Sequence, residues 1–213
     1  MDIRLLDGDA RQTPMSVEAL ISVSSRRRRK EAFYRSLVRC FSVTLLFIAF
    51  GCFFAIYKSG GRPYVYVYPP DTVFDARLML KQAFGLSVLP VICLFFSFGA
   101  RSVLFRLCDT VLPASYGIYA GAVCFVRISS LCEAYSVSRL LQTAPAIAFT
   151  AVIGVVYALL FSVCASYGEC RRKDCITRED SVNCFTYFLY ALTAVVLSVV
   201  LRGAAYKLIF KFG

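Results

Sequence analysis

"GIYAGAVCFVRISSLCEAY", residues 117–135, decides how many times this chain crosses a membrane. Up to Val126 it reads as the interior of a membrane helix; Arg127 and Glu133 then interrupt it. If Arg127 ends the span, the uncharged run Thr110–Val126 has only 17 residues, slightly short of the roughly 20 needed to cross a hydrocarbon core. If the span continues, Arg127 must snorkel to the surface or find a partner, because a central arginine costs roughly 3 kcal/mol on insertion scales. Glu133 lies about 120° away around a helix and is not a same-face partner. Two readings stand. In the first, which suits the spacing better, Arg127 marks the far membrane face and "SSLCEAYSVSR" (129–139) is a tight connection. In the second, Arg127 is an interhelix contact or a polar contact with a partner protein.

Outward from this stretch the chain repeats the pattern. Uncharged runs give further candidate spans at 40–57, 82–100, 144–165 and 184–201, with 110–126 as the marginal one. Of the 213 residues 59% are hydrophobic, and the mean hydropathy is +0.67. A soluble core of this size cannot hide so much apolar surface. The expected fold is therefore all-α: a polytopic integral membrane protein, a bundle of four to five transmembrane helices over residues 40–213. Pro90 and Pro145 fall within or near span starts, where lipid-facing helices tolerate a local kink. Small residues in "GIYAG" and "AIAFTAVIG" suit close helix packing, within the chain or against another membrane protein.

Residues 1–39 read as a cytoplasmic basic tail. Nine of the 24 Lys and Arg lie there, and Arg26, Arg27, Arg28, Arg29 and Lys30 form a cluster ahead of the first span. Such a cluster is held against an anionic cytoplasmic leaflet, at about 1 kcal/mol per basic residue. The net charge of +11 is thus read as membrane orientation, with no nucleic-acid partner expected. With five spans, 15 Lys and Arg fall inside and 9 outside; the four-span count gives the same orientation, so charge does not choose the span number. "DIRLL" (2–6) has the form of an acidic dileucine sorting signal, which makes Asp2, Leu5 and Leu6 the candidate sorting residues. "YRSL" (34–37) has an adaptor-signal form but abuts the bilayer, where a tyrosine at a helix start suffices. No cleavable signal peptide is expected, because the first long apolar run follows the basic cluster. The segment "KSGGRPYVYVYPPDTVFDARLMLK" (58–81) reads as an extended loop against the membrane surface.

Histidine is absent, which removes the commonest general base and metal ligand. No nucleophile–base pair or phosphate loop stands out, so neither catalysis nor a cofactor is expected. Asn183, the only asparagine, precedes Cys184 and Phe185 and forms no glycosylation sequon. Cys164, Cys170, Cys175 and Cys184 lack the paired spacing of a zinc site. Cys170 and Cys175 are candidates for acylation if their loop is cytoplasmic, or for a disulfide if it is luminal.

Four stretches, in order, carry a resemblance: "CFFAIYKSGGRP" (52–63), "GARSVLFRLCDTVLPAS" (99–115), "AGAVCFVRISSLC" (120–132) and "TAPAIAFTAVIGVVYAL" (143–159). Together the chain resembles the multi-spanning egress membrane proteins of alphaherpesviruses, the partners of envelope glycoprotein K. The resemblance implies a non-enzymatic protein of host endoplasmic reticulum, Golgi and virion envelope, reaching the host plasma membrane. It implies a complex with glycoprotein K, mutual transport, cytoplasmic envelopment, virion egress and modulation of fusion driven by glycoprotein B. The 58–81 loop is longer than the family's, and the last run is one more than its usual four spans; if that run crosses, the carboxyl terminus is luminal. The alternatives from other classes are a cellular membrane-organising protein of the secretory pathway and a small transporter.

Overall fold

The computed structural model describes residues 17–60, 76–99, 103–133, 137–172, 176 and 178–212. Five long helices account for nearly all of them: α1 (Val17–Lys58), α2 (Ala76–Gly99), α3 (Val111–Glu133), α4 (Val137–Arg172) and α5 (Arg178–Phe212). A short 3-10 turn, Val103–Leu107, precedes α3. Each of the five helices is long and apolar enough to cross a membrane, so the chain is an all-α, multi-pass bundle. The marginal third run spans because α3 continues through Arg127 to Glu133. Much of the expected 129–139 connection is therefore helix, and α4 resumes at Val137.

The basic stretch is also helical. At 42 residues and 1.5 Å per residue, α1 is about 63 Å long, twice a hydrocarbon core. Its first turns, with the arginine cluster, therefore extend beyond the apolar zone as a continuation of the first span. At the other end α1 stops where the Gly60 backbone turns left-handed (φ +60°). There the Ser59 and Gly60 amides donate to the Ala55 and Tyr57 carbonyls at 3.0 and 3.1 Å, a glycine-terminated helix end. Residues Ala76–Lys81, expected in the loop, form the first turns of α2; 61–75 lie outside the described residues.

The helices alternate in direction. Arg29 of α1 pairs with Asp180 at the start of α5, Arg39 pairs with Asp109 just before α3, and Arg171 near the end of α4 donates to the Phe98 carbonyl near the end of α2. These contacts gather the first half of α1, the ends of α2 and α4 and the starts of α3 and α5 at one end. Gln82 and Arg202 meet at the opposite end. Helix α4 is the centre: half of its most apolar stretch is buried, against 11% for α2. Its Ile153, Tyr157, Leu160 and Phe161 are among the largest fully buried side chains, joined by Val195 and Val199 of α5. The outward stripe of α2, Leu80–Phe84–Val88–Val91–Phe95, is exposed and wholly apolar, as a lipid-facing helix surface requires.

Two packing devices fix the arrangement. The first joins α1 to α3: a Cβ on Gly117 would sit 2.7 Å from the Thr44 carbonyl oxygen, and Cβ atoms on Gly51 and Gly121 would collide with the backbones of Ile118 and Ile48. Backbones approach this closely only where side chains are missing, so "GIYAG" is spent on contact within the chain. The second joins α4 to α2. Pro90 has no amide to offer the Leu86 carbonyl four residues back, and the buried Tyr157 hydroxyl of α4 donates to that oxygen instead. Tyr116 of α3 also reaches a helix backbone, donating to the Thr150 carbonyl of α4 beside Gly154, where an added Cβ would lie 3.1 Å from its ring.

Candidate functional site

Polar side chains concentrate at the end of the bundle where α1 begins. Basic residues of α1 meet carboxylates near the starts of α3 and α5, so charges far apart in sequence converge. Of the basic cluster, Arg26, Arg28 and Lys30 are exposed, and Arg27 pairs with Glu31 one turn on at 3.1 Å. Arg29 alone turns inward, to Asp180. The cluster therefore divides: one member ties α1 to α5, and the others face outward. An exposed i,i+4 pair such as Arg27–Glu31 adds little stability, whereas the half-buried Arg29–Asp180 contact fixes which helices are neighbours.

Beside it lies a cleft of about 730 Å³ between α1, the 3-10 turn and α4. Arg39 Nη1 donates to Asp109 Oδ2 at 2.7 Å across it; the Asp109 side chain is 5% exposed and that of Arg39 51%. Among the described residues, Asp109 Oδ1 and Ser36 Oγ, both shielded from solvent, have no hydrogen-bond partner. Phe105 closes the cleft floor by lying on Gly168, where a Cβ would strike its ring.

A second groove of about 500 Å³ runs between α1, α4 and α5, with Arg29, Tyr34, Tyr167 and Cys170 on its walls. Cys170 is half-buried there. Cys175 lies outside the described residues, as do Asp2, Leu5 and Leu6 of the sorting motif. The other two cysteines of that cluster come together inside the bundle: Cys164 and Cys184 are 3.9 Å apart, sulfur to sulfur, and fully buried. Cys93 and Cys108 adjoin them, with the Cys108 thiol 3.7 Å from the Cys93 carbonyl. Among the described residues no three metal-ligating side chains converge on one point. Spacing in the sequence could not show this grouping, because Cys93 and Cys108 belong to another stretch of chain.

Arg127 is half-buried and lines a cavity of about 300 Å³ at the opposite end, with Gln82, Thr150 and Arg202. Arg202, which the sequence reading passed over, donates to Gln82 and lies 4.4 Å above the Phe149 ring. Both arginines thus face a cavity between helices, near the ends of α3 and α5.

Comparison of the chain with models of protein families, with curated proteins and with solved structures finds no match.

Proposed function

We propose that this chain is a non-enzymatic multi-pass membrane protein that travels with a second membrane-embedded glycoprotein and serves the assembly and egress of enveloped virions. The partner in this reading is glycoprotein K of an alphaherpesvirus. The complex supports transport of both members through host endoplasmic reticulum and Golgi, cytoplasmic envelopment, and fusion driven by glycoprotein B, with the virion envelope and host plasma membrane as destinations. The observation that carries the reading is the ordered resemblance of the four segments between residues 52 and 159. The bundle is compatible with it. The Tyr116 and Tyr157 hydroxyls and the 117–121 glycine motif are engaged within the chain, while α1 and α2 present apolar faces outward.

Localisation of the tagged protein, alone and together with glycoprotein K of the same virus, tests the proposal. Retention of each protein in the endoplasmic reticulum when alone, with joint movement to Golgi or surface when paired, is the expected result. An unchanged distribution of both would overturn it in favour of a cellular secretory-pathway protein that acts alone.

A further inference from the structure

The cleft between α1, the 3-10 turn and α4 carries more positive charge than its own carboxylates balance. Arg35, Arg39, Arg106 and Arg172 surround it, against Asp109 and Glu169. Arg39 is committed to Asp109; Arg35, Arg106 and Arg172 form no ion pair with a carboxylate among the described residues. Arginines from three elements line this one cleft, and a guanidinium suits a phosphate, which accepts two parallel N–H bonds from one arginine. A ligand that suits the site therefore brings phosphate oxygens and a net negative charge.

The level of the cleft narrows the choice. Arg35 and Arg39 immediately precede the uncharged run that starts at Cys40, Asp109 and Thr110 stand at the entry to α3, and Arg172 closes α4. Three elements change from charged to apolar at this level, which is where lipid phosphates lie when the helices are in a bilayer. A volume of about 730 Å³ falls within the roughly 300–1,000 Å³ of small-molecule sites. We infer that this cleft binds the headgroup of an anionic phospholipid, such as phosphatidylserine or phosphatidylinositol. Phosphatidylcholine, whose quaternary nitrogen cancels its phosphate charge, does not meet that requirement. The inference needs only the membrane placement of the bundle and stands apart from the identity of any protein partner.

Native mass spectrometry of the detergent-purified full chain, titrated with phosphatidylserine or phosphatidylcholine at equal concentration, tests it. The wild type is expected to retain phosphatidylserine about fivefold or more over phosphatidylcholine. Arg106→Gln with Arg172→Gln brings that ratio to about one while phosphatidylcholine adducts stay unchanged. Arg26→Gln with Arg28→Gln, the same loss of charge on the exposed part of α1, leaves the ratio within about twofold. Should the Arg106/Arg172 double variant aggregate, Arg106→Gln alone is expected to lower the ratio about two- to threefold. Equal losses in the Arg26/Arg28 control would replace the site with diffuse surface attraction, and an unaltered ratio in the Arg106/Arg172 variants would sink it. A titration with inorganic phosphate separates the sources. Lipid adducts that survive millimolar phosphate support a headgroup site; full displacement by phosphate would make the cleft a site for a soluble anion and overturn the lipid assignment.

Discussion

Asp109, Pro90 and Tyr157 show how single residues carry this bundle. In lipid no water can satisfy a polar atom, so each orphan costs several kcal/mol unless another side chain reaches it. Pro90 creates one orphan, the Leu86 carbonyl, and Tyr157 answers it. We expect Tyr157→Phe to lower the unfolding free energy in detergent by about 1–2 kcal/mol. In a Pro90→Ala background the same change should cost less than half as much, since residue 90 then supplies its own amide to Leu86. A double-mutant cycle on thermal or denaturant unfolding measures this coupling; equal costs in both backgrounds would show that the tyrosine stabilises by packing alone. Pro90 was legible in the sequence, as was its tolerance in a lipid-facing helix. Its partner was not, because Tyr157 lies 71 residues from Leu86 and a buried tyrosine at helical spacing resembles any other core residue.

At the level of the element, the α1–α3 contact decides most. Parallel helices meet here through Gly51 on one side and Gly117 and Gly121 on the other. Gly85 of α2 is the control, since a Cβ there meets nothing within 4 Å. Gly121→Ala and Gly51→Ala are expected to destabilise by about 1–3 kcal/mol, as overpacking against a backbone does. Gly85→Ala should be neutral or stabilising by up to about 1 kcal/mol, because alanine is the better helix former. Unfolding midpoints of the three variants decide it; a similar drop at all three positions would refute the packing assignment. The "GIYAG" spacing was visible from residues alone, but it suited an internal neighbour and an external one equally. Helix α1 settled that question because its own glycine, Gly51, sits opposite.

For the whole molecule, the alternation of five helices has a consequence for sidedness. The start of α1 lies with the start of α5, joined by Arg29 and Asp180, so the carboxyl end of α5 points to the opposite end of the bundle. Epitope tags placed before Met1 and after Gly213 should therefore face opposite sides of the membrane. Selective permeabilisation of the plasma membrane is expected to expose the amino-terminal tag alone, and full permeabilisation both. Exposure of both tags at the first step would mean that one of the five helices does not cross.

The apolar runs and the high overall hydropathy were enough to determine an all-α membrane bundle, and the basic cluster before the first span gave its expected orientation. Hydropathy and charge are summed along the chain, and the cost of burying them in lipid needs no knowledge of neighbours. They also brought the marginal third span within reach, although only the helix itself showed that it runs on past Arg127. Tertiary structure alone decided which charges pair, which cysteines meet and which arginines share a cleft. Arg39 and Asp109 are 70 residues apart, and Cys93 and Cys108 join Cys164 and Cys184 only when α2, α4 and α5 pack together. Those features depend on distances between helices, which are set by how glycines, prolines and tyrosines let the backbones approach.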